Sequence, residues 1–107
     1  MKSFIVAAAL LIGASPAFAK DATCELVVDG KTKIDGPCDF DPYGSDGSFM
    51  ITAENGYFAY ANKDGDIMKG YWNGDFKENR AHDDLGTLTR GTDRACWEND
   101  YARLCAW

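Results

Sequence analysis

The chain has 107 residues and a net charge of −6, with 17 acidic side chains against 11 basic ones and a single histidine. This balance excludes nucleic acid as an expected partner, because phosphate binding depends on clustered Lys and Arg that release counterions. It favours a cationic protein, which a negative field attracts and steers, and it also keeps an exported protein soluble.

Residues 1–19 read as a cleavable secretory signal: Lys2, an apolar run from Phe4 to Ile12, then Gly13, Ser15 and Pro16, and finally Ala17-Phe18-Ala19 as an A-x-A cleavage site. The run is shorter than the roughly 20 apolar residues that a membrane-spanning helix needs. Asp21-Ala22-Thr23 stand between the cleavage point and Cys24, so no lipid-attachment cysteine and no membrane anchor are expected. The mature protein is expected to begin at Lys20, to form one all-β domain over residues 20–107, and to be periplasmic or secreted. Removing Lys2 with the signal takes the net charge from −6 to −7.

All four cysteines, Cys24, Cys38, Cys96 and Cys105, lie in the exported part, where an oxidising compartment favours pairing. Of the three connectivities open to them, Cys24–Cys38 and Cys96–Cys105 are favoured, because each pair brackets a segment that reads as a hairpin. Zinc is the rival ligand, but the spacings do not match C-x2-C pairs and His82 is the only imidazole.

The first hairpin is predicted from Cys24 to Ile34, with Asp29-Gly30-Lys31 at its tip and Gly30 supplying a positive φ. Gly36-Pro37 then interrupts the pairing as a bulge or strand end. From Ser48 to Arg80 the dipeptides Asn55-Gly56, Asp64-Gly65 and Asn73-Gly74 recur every nine residues. Each favours a two-residue hairpin turn, so the segment predicts a four-stranded meander.

Centring the turns pairs Ala53 with Phe58 and Ile51 with Tyr60. It then pairs Tyr60 with Lys69 and Phe58 with Tyr71, and finally Tyr71 with Phe76. Alternation puts Phe49, Ile51, Ala53, Phe58, Tyr60, Ile67, Tyr71 and Phe76 on a core face. Met50, Tyr57, Met68 and Trp72 fall on the other face, around Ala59, Ala61 and Gly70.

Further strands are predicted at Leu85–Arg90, Arg94–Trp97 and Leu104–Trp107, the last two joined by a loop of about four residues from Asn99 to Ala102. About eight short antiparallel strands with two disulfides suggest a small β-barrel or a strongly rolled sheet.

No nucleophile–base arrangement is apparent, since the cysteines are expected to be oxidised and His82 is the lone imidazole. His82-Asp83-Asp84 could form an acid–base pair or a weak metal site, but reads better as a solvated loop. Asp29, Asp64 and Asp75 sit at or beside turns, where Asp is common for local reasons. The segments 41–47 and 62–66 superficially suggest calcium loops, yet neither has the twelfth-position Glu of an EF-hand.

The expectation is therefore a protein that is not an enzyme, with no cofactor and no metal, working through a recognition surface. Tyr43, Tyr57, Tyr60, Tyr71, Trp72 and Trp97 are of the types that dominate interfaces. The register selects Tyr57, Met68 and Trp72, with the lysines Lys63 and Lys69, as the partner-binding patch.

These features resemble the periplasmic inhibitors of c-type lysozyme, the PliC and MliC group: an exported, acidic, disulfide-bonded chain with eight antiparallel strands. The likeness rests on Ser48 to Gly74, where Tyr57-Phe58-Ala59-Tyr60 and Tyr71-Trp72-Asn73-Gly74 fall where that group has an aromatic strand and an aromatic-Trp…Gly segment. The group's Ser-Gly-x-x-Tyr loop has no clean counterpart, since Gly47-Ser48 reverses the order, and its inhibitory residues are not transferred.

The resemblance implies that loops enter the cleft of a cationic lysozyme and that polar or cationic groups meet its catalytic carboxylates. Lys63 or Lys69 would supply such a group. The alternative is a structural, envelope-associated β-domain that self-associates through its aromatic face into a homodimer.

Overall fold

The computed structural model describes residues 20–107, and the secretory signal expected over residues 1–19 lies outside the described residues. Eight strands follow in chain order: β1 (Lys20–Val28), β2 (Lys31–Pro42), β3 (Phe49–Ala53), β4 (Phe58–Asp64), β5 (Ile67–Trp72), β6 (Asp83–Arg90), β7 (Cys96–Glu98) and β8 (Ala102–Ala106). Each pairs antiparallel with its sequence neighbours, and β8 returns to β1, so the sheet closes as an up-and-down barrel. Closure gives every strand a neighbour on both sides, although the longer strands outrun the shorter ones beside them. The all-β expectation holds, and of its two forms the closed barrel is the one adopted.

Because every connection reverses the chain, the loops alternate between the two ends of the barrel. Connections 43–48, 65–66 and 91–95 lie at what is here the upper end, and 29–30, 54–57, 73–82 and 99–101 at the lower end. At the first lower turn Asp29 and Gly30 hold φ of 53° and 77°, the pair of positive values that a type I′ turn requires.

The disulfides are Cys24–Cys38 and Cys96–Cys105, as the hairpin bracketing favoured. Cys96 lies directly opposite Cys105 across β7 and β8, and Glu98 pairs with Arg103, which leaves the expected four-residue connection from Asn99 to Ala102. Cys24 and Cys38 join β1 to β2 diagonally, since Cys24 faces Gly36 and Cys38 faces Ala22. Closing chain separations of 14 and 9 residues restricts the unfolded chain by about 2.5–3 kcal/mol each in the chain-entropy picture.

The register of the middle strands differs from the expected one. Thr52 pairs with Phe58, Ile51 with Ala59 and Met50 with Tyr60, because the β3–β4 connection is a three-residue loop, Glu54-Asn55-Gly56. The backbone N–H groups of Gly56 and Tyr57 close it, donating to Ala53 O and Asn55 Oδ1 respectively, and Gly56 takes a φ of 100°. Such a loop is one residue longer than the I′ turn assumed from Asn-Gly, and one residue turns every later side chain to the opposite face.

The next hairpin keeps that inversion. Its tip is Gly65-Asp66, with Asp64 opposite Ile67 and Tyr60 opposite Tyr71. The interior of β4 and β5 is therefore Ala59, Ala61, Met68, Gly70 and Trp72, while Phe58, Tyr60, Ile67 and Tyr71 are half-buried on the outside. On β3 the expected core residues Phe49 and Ile51 are indeed interior.

Small residues on β4 and β5 make room for large ones opposite. A Cβ at Gly70 would stand 2.9 Å from Leu88 Cδ1 and 3.1 Å from Leu85 Cβ, so β5 passes closely over leucines of β6. Leu26, Ile34, Ile51, Met68, Leu85, Leu88 and Leu104 fill the remaining space, fully buried, the alternation of small and large that a tapered barrel needs.

No strand forms around Phe76, and Asn73-Gly74 is not a hairpin turn. Residues 73–82 form a loop instead, and Phe76 is 90% exposed rather than core. Asn73 is the cause. Its side chain is buried, accepting from Phe58 N at 3.0 Å and donating to Gly56 O at 3.0 Å and Glu78 O at 3.1 Å. The amide thus ties the loop to the β3–β4 connection, satisfying backbone groups that a hairpin would have paired along a strand.

Gly36-Pro37 also departs from expectation, since β2 runs through both residues, with Gly36 opposite Cys24 and Pro37 opposite Thr23. Proline is tolerated there because β3 reaches only to Cys38, which leaves Pro37 a strand partner on one side alone.

Candidate functional site

At the upper end the inward columns of two strands finish in cations. Along β4 the interior positions are Ala59, Ala61 and then Lys63. Along β6 they end in Leu88 and then Arg90, which pairs with the buried Trp97. Arg94 joins them from the 91–95 connection. Beneath lie Phe40, Phe49, Met68 and Trp97, and the whole surrounds an open cavity of about 230 Å³.

The cations are held in place by their surroundings. The Arg90 guanidinium lies 4.2 Å from the Trp97 ring centroid and donates through Nη1 to Arg94 O at 2.6 Å. Stacking of this kind leaves a planar fork with its remaining N–H groups free for a partner. The backbone N–H of Lys63 donates to the buried Ser48 Oγ at 2.9 Å, and its side chain runs along Gly47.

Among the described residues the ion pairs are Lys33–Asp75, Lys69–Asp64, His82–Glu78, Arg103–Glu25 and Arg103–Glu98, and none involves Lys63, Arg90 or Arg94. Two acids stand on the same rim. Asp46 accepts from Ser48 N at 3.0 Å, and this bond above all holds its carboxyl below the ordinary range, with the Lys63 charge a smaller contribution. Asp93 accepts from Ala95 N at 2.9 Å and from Trp107 Nε1 at 3.2 Å. Both carboxylates are occupied locally.

Of the partner-binding residues expected from sequence, the structure brings Lys63 and Met68 together at this mouth, Met68 as part of its floor at 2% exposure. Trp72, 4% exposed, is interior at the lower end. The expectation of an exposed patch is therefore corrected for Met68 and Trp72, for the reason of register given above, while Tyr57 is half-buried. Lys69 points outward, 3.9 Å from Asp64.

Tyr57 packs 5.8 Å from the Trp72 ring. Lys33 Nζ sits 5.8 Å from the Trp72 centroid and 6.0 Å from that of Tyr57, and binds Asp75 at 2.6 Å. That ion pair raises the Lys33 pKa and lowers that of Asp75. This group closes the lower end.

Arg90 and Arg94 were not singled out from sequence, although Arg90 lies in phase with Leu88 and so could be read as inward once β6 is a strand. Their convergence with Lys63 brings together two connections, 65–66 and 91–95, and has no local signature.

The remaining candidates are placed plainly. His82 is exposed, with Nε2 3.2 Å from Glu78 Oε1, and Asp84 accepts from Gly86 N at 2.6 Å. On the outer wall Tyr43, Tyr60 and Tyr71, with Asn62 and Ala81, line a shallow groove of about 350 Å³. The Tyr43 hydroxyl donates to Asn62 Oδ1, and burial first of all raises its pKa. The chain matches no protein-family model, no curated protein and no solved structure.

Proposed function

We propose that this is an exported, non-catalytic binding protein that occludes the active-site cleft of a cationic c-type lysozyme, with the upper mouth as the contact surface. The observation that carries the reading is the set of three cations at the mouth of a strongly acidic barrel, Lys63, Arg90 and Arg94, which form no ion pair among the described residues. The acidic surface attracts a basic enzyme and accelerates encounter. The rim then offers cations to the acids inside the enzyme's cleft, where charge-assisted bonds are strongest.

The resemblance to the periplasmic lysozyme inhibitors supports the same direction of action. Activity of a c-type lysozyme on cell walls, titrated with the purified disulfide-bonded protein, tests it. Stoichiometric inhibition that weakens with added salt and falls at least tenfold in Lys63→Ala or Arg90→Gln supports the reading. Full lytic activity at low salt with the protein in excess rejects it.

A second reading, self-association into a homodimer, is favoured by one observation. The outer wall carries Phe58, Tyr60, Tyr71 and Tyr43 as a half-buried cluster, with Tyr43 and Tyr60 rings 5.9 Å apart and Phe58 and Tyr60 6.2 Å apart. Light scattering that gives a dimer mass, lost in Tyr71→Ser, would support it, and a monomer mass at high concentration would end it.

A further inference from the structure

We infer that the upper mouth is, by itself, a preformed site for a small organic anion, a carboxylate carried on a compact apolar body. The inference rests on the mouth being the contact surface and specifies the chemistry it takes. An eight-stranded barrel has an interior that side chains can fill or that can hold one small ligand. Here buried side chains such as Leu26, Ile34, Leu85 and Leu104 fill the interior, and the upper mouth holds a cavity of about 230 Å³. That is smaller than most pockets for drug-sized ligands, so it fits a single ring or a short alkyl chain.

The walls divide the ligand into two parts. Phe40 and Phe49, with rings 5.0 Å apart, and the buried Met68 and Trp97 line the floor with largely apolar side chains. Immediately above them Lys63, Arg90 and Arg94 supply N–H donors and positive charge. An apolar body seated on the floor would place an attached carboxylate at the rim. There the fork of a guanidinium can bind both oxygens.

Preorganisation strengthens the case. Arg90 is already stacked on Trp97 and bonded to Arg94 O, so little side-chain freedom remains to be lost on binding. Discrimination follows from the same geometry. A neutral alcohol of equal size keeps the floor contacts and forfeits the charged bonds, while acetate keeps the charge and forfeits the floor.

Titration of the full disulfide-bonded protein with benzoate and with octanoate, followed by backbone and Trp97 indole NMR shifts, tests this. Saturable shifts at Phe49, Met68, Arg90 and Trp97 with a Kd of about 1 mM or tighter are expected for at least one probe, consistent with so few ligand atoms. Benzyl alcohol and acetate should each bind at least tenfold more weakly. Arg90→Gln and Arg94→Gln, both exposed rim positions, should each weaken binding at least fivefold.

Absence of saturable shifts with both probes, or equal binding of benzoate and benzyl alcohol, overturns the inference. Saturable anion binding without lysozyme inhibition sustains it and removes the inhibitor reading. Inhibition without anion binding does the reverse.

Discussion

The side-chain amide of Asn73 donates to the carbonyl of Gly56 at 3.0 Å, tying the long lower loop to a hairpin connection 17 residues earlier. With its bonds to Phe58 N and Glu78 O it replaces the strand that the Asn-Gly dipeptide suggested. Asn73→Ala strands these buried groups, so a loss of about 2–4 kcal/mol is expected in urea denaturation. Asn73→Asp should rescue only part of it, because a carboxylate can still accept from Phe58 N but cannot donate to the two carbonyls.

Trp72 and Phe76 distinguish the observed register from the one that equal turn spacing suggests. With Trp72 interior at 4% exposure and Phe76 at 90%, Trp72→Ala should cost about 3–5 kcal/mol. Phe76→Ala should stay within about 0.5 kcal/mol of the parent. Comparable losses from both would contradict the loop seen at residues 73–82.

Gly70 is a steric requirement rather than a turn. Its missing side chain accommodates Leu88 and Leu85, so Gly70→Ala should destabilise by about 1–3 kcal/mol through overpacking. Gly70→Ala combined with Leu88→Ala should lose less than the two single costs added together, which a double-mutant cycle in urea would read.

Lys33 and Asp75 give stability a pH signature at both extremes. The Asp75 pKa is lowered from its ordinary 3.8, chiefly by its bond to Lys33. Its contribution is therefore present above that value and is lost as pH falls through the folded pKa. The Lys33 pKa is raised above 10.5, first by the bond to Asp75. That contribution is complete below 10.5 and is lost as pH rises through the folded pKa. The melting-temperature difference between the parent and Asp75→Asn should hence be flat across neutral pH and shrink toward both ends.

Sequence by itself was enough for the all-β class, the two disulfide pairings and the location of the first hairpin tips. These depend on local features: a Gly or Asp able to take positive φ, an extended run between turns, and cysteines bracketing a short reversal. Which face of a strand is interior is not local in that way. A single extra residue in the Glu54-Asn55-Gly56 loop inverted β4 and β5, moving Met68 and Trp72 inward and Tyr60 and Tyr71 outward.

The upper mouth was further still from view. Lys63 lies 27 residues before Arg90 in the chain, and Arg94 follows Arg90 by four. They meet only because an even number of reversals brings their strand ends to one rim and closure of β8 on β1 draws that rim into a ring. Inward alternation then aims Lys63 and Arg90 at a common point, so the charge cluster is a property of the closed barrel and of no single segment.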